Sequence, residues 1–268
     1  MSPFRPLVAF AILLVAFAAS ACSPADPRSR IDTALATLRS DGGGAAKAKA
    51  CVEIRSALAE YRHDAPDHDA LVSRAVPLLV AALREPLAQV SAQDALIAIG
   101  LPAYDALFDA ALAEDKATQD GAVVCLVRMS ATAIPVLMPE LLGDDVAAQD
   151  RAARVLIRIG PPGSATLRET HRQILEPFAT TSDPTEAAQL STRGRTGLLA
   201  FIQVFSAIGD RTSVQSLLDG CEAVYRAYPQ LGAAYLKAIQ GMGPGALDRL
   251  PAEQRLAYER LRLLLDAR

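Results

Sequence analysis

The chain has no tryptophan, few aromatic residues and no excess of basic residues. Aromatic side chains make up 5% of the 268 residues, and 27 Lys and Arg residues stand against 30 Asp and Glu residues. A protein that holds a phosphate backbone needs a basic surplus, and one that stacks nucleobases uses aromatic faces. We therefore expect no nucleic-acid partner, no sugar-binding cleft and no small-molecule substrate.

Histidine is also scarce, with three copies in the chain. His63 and His68 fall in one turn, and His171 has no evident partner in the sequence. No Ser/His/Asp or Cys/His set is visible, although such a set is the usual mark of nucleophilic catalysis. The sequence therefore predicts a protein without enzymatic activity and without a cofactor.

The N-terminus has the three parts of an export signal. Arg5 precedes an apolar run at 7–18, and small residues at 19–21 precede Cys22. The run is shorter than the ~20 apolar residues that span a bilayer. This order resembles the bacterial lipobox, whose cysteine is acylated and becomes the first residue of the mature chain, although Ala19 stands where that motif favours leucine.

We interpret residues 1–21 as a lipoprotein-type signal peptide and Cys22 as the lipidation site. An ordinary signal peptide with a coincidental Cys22 and an uncleaved anchor are the alternatives. Ser23, where an aspartate would favour retention, predicts an outer-membrane anchor facing the periplasm; a soluble exported protein is the alternative. Cleavage removes Arg5 and changes the formal net charge from -3 to -4.

The sequence nearly repeats itself every 30 residues in its central part. Three blocks can be aligned without a gap, at Ala92–Gly100, Ala122–Ser130 and Ala152–Gly160, and a second apolar helix follows each with Leu107, Leu137 or Leu167. A fixed period of this length is typical of a solenoid, in which one helix pair buries its apolar face only by stacking on the next pair.

Residues one period apart are expected to form columns in the core. The predicted columns are Leu96, Leu126 and Leu156; Ile97, Val127 and Ile157; Ile99, Met129 and Ile159; Ala92, Ala122 and Ala152; and Ala95, Cys125 and Val155. Their i, i+3, i+4 and i+7 spacing is that of one buried helical face. Gly100 and Gly160 then suit a helix end with a left-handed backbone.

The pattern continues more weakly on both sides of these blocks. It predicts a helix pair at 47–62 and 69–84, and further glycine-ended helices at Gly209 and Gly243. The interval from Gly160 to Gly209 is 49 residues, which indicates an insertion around 176–194 with a helix capped by Asp183. We divide the mature chain into a tether and capping helix at 22–45, a solenoid at 46–250 and a capping helix at 251–268.

The blocks resemble HEAT repeats, especially the bacterial short repeats related to phycobilisome lyases, in which Ala-x-x-Ala-Leu-x-x-Ile-Gly ends the first helix. The resemblance covers roughly residues 46–250 and is closest at Gly100 and Gly160. It implies an all-α, right-handed α-solenoid of about five to six stacked helix pairs with terminal capping helices. It also implies a scaffold that binds an unknown protein partner, with a lyase acting on a protein-bound prosthetic group as the alternative.

The remaining cysteines are expected to be small buried residues. Cys125 falls in a core column, and Cys51 lies on the corresponding face of an earlier helix. These two lie more than two units apart along the stack, whereas a disulfide requires Cα atoms within ~7 Å. With Cys22 lipidated, only Cys221 would be left besides them, so we expect no structural disulfide.

Three groups of polar residues are candidate sites. His63, Asp67 and His68 could hold a divalent metal, but a helix end at His63 and an N-cap by Asp67 or Asp69 explain the same residues. A ridge of arginines could bind an acidic partner. Acidic residues on the second helices could form an opposite, acidic surface. Ordinary solvated charge on helix surfaces is the alternative explanation for both groups. The ridge comprises Arg128, Arg154 and Arg158, with Arg151 beside them, and the acidic surface comprises Asp105, Asp109 and Glu169.

Overall fold

A computed structural model describes residues 26–61, 64–180, 192–243, 245–248 and 250–267. Within those ranges the protein is all-α, as predicted, and no strand occurs. The helices are α1 (Pro27–Arg39), α2 (Gly44–Glu60), α3 (His68–Ala82), α4 (Gln89–Ile99), α5 (Tyr104–Ala110), α6 (Lys116–Arg128), α7 (Ser130–Leu141), α8 (Val146–Ile159), α9 (Ser164–Thr180), α10 (Thr192–Ile208), α11 (Val214–Val224), α12 (Pro229–Gly241), α13 (Gly245–Asp248) and α14 (Ala252–Asp266). The signal segment, Cys22, His63 and the predicted cap Asp183 lie outside the described residues.

Most helices pack both on a neighbour in the chain and on the helix two positions further along, and the most extensive contacts, α1 with α2 and α11 with α12, are between neighbours. In the even-numbered series, α2 contacts α4, and each later member contacts the next as far as α12. In the odd-numbered series, α1 contacts α3, α3 contacts α5, α7 contacts α9, and α9 contacts α11. Successive helix pairs therefore lie against one another, and each pair shares its apolar face with the next.

Most of the predicted core columns are buried. The leucine column, the alanine column and the column of Ala95, Cys125 and Val155 have no exposed surface at all. The column of Ile97, Val127 and Ile157 was placed wrongly, because its first two members are only partly buried and Ile157 is 39% exposed. Each of these residues is rotated by about 100° from the buried leucine before it, which moves it to the edge of the apolar stripe.

Glycine allows the sharp connection between the two helices of a unit. Gly100 and Gly160 have positive φ angles of 74° and 66°, as predicted. Their ψ angles of -132° and -152° lie outside the left-handed helical region, in a backbone region that is essentially restricted to glycine. A single 3-10 turn follows each of them. Ser130 replaces this glycine in the middle unit, and there α7 begins at the serine itself, with its axis bent by 103° from that of α6.

Gly197 has a packing role that the sequence interpretation missed. Glycine is disfavoured in helix interiors, yet α10 runs through both Gly194 and Gly197. A Cβ atom at Gly197 would lie 2.8 Å from the Cα atom of Leu142, which follows α7. The absence of a side chain therefore lets α10 approach the preceding unit closely.

The two terminal helices cover the stack unequally. Ile31, Leu35 and Leu38 of α1 are buried, as expected for a capping helix. In α14, Leu261 is buried, whereas Leu256 is 71% exposed. The reason is that α14 contacts α11 and α12 with one side only.

No single helix among the described residues is long and apolar enough to cross a bilayer. The consecutive helices α6 and α7 meet the length and composition test only when they are taken together across their bend.

Candidate functional site

The predicted arginine ridge is partly neutralised by carboxylates. A guanidinium nitrogen of Arg128 lies 2.8 Å from Oδ1 of Asp94. The other carboxylate oxygen of Asp94 lies 3.5 Å from Arg55. Arg154 pairs with Asp150 on its own helix at 3.0 Å. Arg158 is exposed and forms no ion pair within the described part of the chain. The positive charge that remains free on this face is therefore centred on the C-terminal end of α8.

Apolar side chains lie on the same outer face as these arginines. Val124 of α6 is 43% exposed and Ile157 of α8 is 39% exposed. Arg128 and Arg158 each occupy the last turn of a helix, where a cation is stabilised by the helix dipole. The face thus combines exposed apolar groups with cations. The helix dipole alone would explain why arginine occupies the positions of Arg128 and Arg158.

Arg151 does not belong to the ridge and instead binds the residues predicted to form an opposite acidic surface. Its guanidinium lies 3.4 Å from Asp105 and 3.3 Å from Asp109, and it is 5.7 Å from the centre of the Phe108 ring. One basic side chain of α8 therefore pairs with both acidic residues of α5, which remain 89% and 73% exposed. Glu169 is paired too, with Arg172 of its own helix at 2.6 Å. Asp105 and Asp109 share this one arginine, which also lies 4.0 Å from Glu140, so negative charge remains on this side of α5 and the acidic surface stays a prediction.

Asp67 and His68 of the predicted metal turn make other contacts. Asp67 occupies the N-cap position of α3, but its carboxylate caps no backbone N–H. It accepts a hydrogen bond from Tyr61 at 2.5 Å, which lowers its pKa, and pairs with Arg28 at 2.7 Å. His68 stacks on the Tyr61 ring. The described residues contain no group of three potential metal ligands, and His63 lies outside them.

The three cysteines of the described chain are free and fully buried. Burial raises the pKa of the Cys51 thiol to about 11 and those of Cys125 and Cys221 to about 12. Because the thiolate is the nucleophilic form, these side chains act as small apolar residues. The core positions predicted for Cys51 and Cys125 are confirmed.

A buried polar cluster surrounds His171 of α9, and the sequence analysis missed it. The imidazole has no exposed surface and stacks on Phe201, with ring centres 5.3 Å apart. Its Nδ1 lies 2.8 Å from the hydroxyl of Ser216, and its Nε2 lies 2.7 Å from the hydroxyl of Tyr235. Burial without a neighbouring charge lowers the pKa of His171 to about 4, so the ring is neutral at neutral pH.

The hydrogen bonds of the cluster determine which nitrogen of His171 carries the proton. The Tyr235 hydroxyl is buried, and its one hydrogen-bond partner in the described chain is the imidazole. A buried phenol without an acceptor is costly, so we assign Tyr235 as the donor to Nε2. Nδ1 then carries the hydrogen and donates it to Ser216. In this arrangement His171 cannot accept the Ser216 proton and does not act as a general base for it.

The 30-residue period contained a signal for this cluster. The same spacing that aligns the second-helix leucines also aligns Ala111 and Leu141 with His171. Both of those residues are fully buried, so a histidine in this column predicts a buried imidazole that needs hydrogen-bond partners. The partners could not be read from the sequence, because Ser216 and Tyr235 are 45 and 64 residues away.

A groove lies between α9 and α11, next to the His171 cluster. Its volume is about 240 Å³, and its lining residues are His171, Arg172, Leu175, Glu176, Ser216, Asp219 and Ala223. Gly220 of α11 allows close packing beside the groove, because a Cβ atom there would lie 2.6 Å from the Tyr235 ring of α12 and 2.8 Å from His171 of α9. The groove is thus formed by packing that requires glycine on α11.

Comparison with known proteins gives no independent assignment. No protein-family model matches the chain, and no curated protein matches it at a significant level.

Proposed function

We propose that this protein is a lipid-anchored scaffold of the bacterial cell envelope, built as a right-handed HEAT-like α-solenoid, that binds an acidic protein partner. The observation that carries the proposal is the packing of the helices in two interleaved series, which is continuous from α2 to α12 and has its weakest contact between α5 and α7 in the series from α1 to α11. Stacked helix pairs form an extended surface, and proteins with this construction use that surface for binding.

The solenoid part of the proposal has local support in the connections between helices. Gly100, Gly160, Gly209 and Gly243 all have positive φ, and each follows the first helix of a pair. The repeated turn gives successive pairs a similar geometry, so that equivalent columns meet from one pair to the next. The buried leucine and alanine columns of three consecutive units agree with this arrangement.

The envelope location rests on the N-terminal sequence. Helix α1 begins at Pro27, five residues after Cys22. Five extended residues reach about 17 Å, so an acyl group on Cys22 would hold the first helix pair close to the membrane surface. Cys22→Ala should prevent lipid attachment, and mass spectrometry of the mature N-terminus measures this. An unmodified N-terminus at any other residue in the wild-type protein would exclude the anchor.

The docking face is the outer surface of α6 and α8, with Val124, Arg154, Ile157 and Arg158. Exposed cations raise the association rate of an acidic partner, and desolvated apolar groups contribute to the affinity. Arg128 and Arg154 contribute less than Arg158, because they pair with Asp94 and Asp150. The partner that fits this surface is a protein segment with carboxylates around one or two apolar side chains.

The binding experiment compares two double variants in pull-downs from detergent-solubilised envelopes over a salt series. Arg154→Gln with Arg158→Gln should weaken capture and its salt dependence, because it removes Arg158, which has no ion pair among the described residues, together with the neighbouring cation of α8. Arg55→Gln with Arg128→Gln removes the same number of charges from the neighbouring ion-paired cluster and should have a smaller effect. Equal capture by the wild type and both variants across the salt series would show that this face is ordinary solvated surface.

A further inference from the structure

We propose that copies of this protein join end to end, with the outer leucines of α14 in one copy bound in a groove between α1 and α2 of the next copy. Such a contact is heterologous, because it joins two different surfaces, and each copy keeps one surface free for a further neighbour. It involves neither the arginine face nor the lipid anchor, so it is independent of the function proposed above.

The outer face of α14 is apolar, although the terminal helix of a stack needs a polar outer face to remain soluble. Leu256 and Leu263 are 71% and 63% exposed, and Leu264 is 40% exposed. The first two are seven residues apart and share one side of the helix, while the buried Tyr258 and Leu261 occupy the opposite side. At the other end of the stack, the exposed positions of α1 carry polar residues and a single alanine. The C-terminal end therefore presents a surface that a further element would cover.

A groove of about 430 Å³ lies between α1 and α2. Among its lining residues, Arg30 lies about 160° around α1 from Asp32, which pairs with α3. Glu53 of the lining lies about 160° around α2 from Arg55, which pairs with α4. The groove therefore opens away from the next helix pair, at the N-terminal end of the stack. The small residues of its lining are Ser29, Thr33, Ala34, Thr37, Ala46 and Ala50.

The row of leucines on α14 matches this groove in length. The lining residues of α1 run from Ser29 to Thr37, which is about 12 Å at 1.5 Å per residue. Leu256 and Leu264 are separated by the same number of residues and hence by the same length. Small side chains along the groove leave room for leucine side chains between the two helices. The apolar row of one copy therefore fits the groove of another.

Charge complementarity favours this contact over one between two α14 helices. Lys49 lines the groove, is exposed and forms no ion pair among the described residues, whereas Arg30 is bound by two glutamates. On α14, Glu253 and Asp266 are exposed, form no ion pair in the described part of the chain, and lie within about 80° of the leucine row. A twofold contact that sets Leu256 against Leu263 would place the two copies of Arg260 side by side at its centre. Like charges in that position would oppose the twofold arrangement.

Sedimentation equilibrium tests the proposal on the chain from residue 22 onward, with Cys22→Ala so that no acyl group contributes. The mean mass should rise beyond that of a dimer between about 10 μM and 1 mM, because the contact is small and leaves free ends. Leu256→Lys with Leu263→Lys should weaken this association at least about tenfold. Leu101→Lys with Val146→Lys adds the same charge at similarly exposed residues that belong to neither surface, and should leave the association unchanged.

A mixing experiment distinguishes this contact from one between two identical surfaces. Thr33→Arg with Ala46→Arg, at two exposed positions, fills the groove and should weaken self-association as much as the leucine variant does. A mixture of the groove variant and the leucine variant should form a one-to-one complex that does not grow further. One intact leucine row and one intact groove remain in that mixture, which is enough for a single contact.

A wild-type chain that remains monomeric up to about 1 mM would overturn the proposal. Self-association of the groove variant at wild-type strength would also overturn it, because α14 would then contact a surface other than the groove. Thermal unfolding verifies that each variant is folded. Where one is not, Leu263→Gln or Thr33→Gln, a single substitution at an exposed position, takes its place and should weaken association in the same direction.

Discussion

The His171→Gln variant should make the protein less sensitive to acid than the wild type. His171 has no exposed surface, and its pKa lies at about 4 in the folded protein against 6.5 in an unfolded chain. Above pH 6.5 the imidazole is neutral in both states and its contacts stabilise the fold fully. As the pH falls from 6.5 towards 4, the unfolded chain binds a proton that the folded protein does not bind, so the free energy of unfolding decreases.

The size of the effect follows from the difference between the two pKa values. A difference of about 2.5 units corresponds to about 3 kcal/mol once the pH is below both values. Between pH 7.5 and pH 5 the loss is about 2 kcal/mol, a substantial part of the stability of a typical domain. Glutamine can form hydrogen bonds with Ser216 and Tyr235 but does not titrate, so this part of the pH dependence should disappear in the variant.

Urea denaturation of both proteins at several pH values between 5 and 7.5 provides the measurement. The substitution will lower stability at neutral pH, because stacking on Phe201 is lost, so the informative quantity is the change with pH and not the absolute value. Titration of carboxylates outside the cluster affects both proteins alike and cancels in their difference. A constant difference between the two proteins across this range would refute the assignment of His171 as a buried neutral base.

Two further substitutions test the fold. Gly160→Ala should cost about 1–3 kcal/mol, because a Cβ atom there meets no close contact and the cost comes from the backbone conformation alone. Ser130→Ala at the equivalent position of the preceding unit should cost little, and thermal unfolding compares the two variants. Leu126→Asp should cost several kcal/mol, because it places a carboxylate at a position with no exposed surface. Asp105→Ala, at an exposed ion pair, should cost at most about 1 kcal/mol. Comparable melting temperatures of the two variants would show that the buried face is assigned wrongly.

The sequence by itself determined the elements of this protein that depend on local spacing. The buried leucines of α4, α6 and α8 and the glycine that ends α4 and α8 recur at a fixed interval, so each could be located without knowledge of its neighbours in space. A helix needs one apolar stripe and a defined end, and both are properties of a short stretch of chain. The same reasoning placed Cys51 and Cys125 correctly in the core.

Only the tertiary structure decided which charges and polar groups meet. Arg151 and Arg154 are three residues apart, so the sequence places both on the same side of one helix. In the structure Arg151 reaches the carboxylates of α5, while Arg154 pairs within α8. His171 is neutral because it is buried, and Ser216 and Tyr235, which come from two later helices, determine which of its nitrogens carries the proton. The partners of a long polar side chain depend on how closely the helices of different units approach. That distance is set by contacts such as those of Gly197 and Gly220. These contacts join residues far apart in the chain, so a local sequence pattern does not contain them.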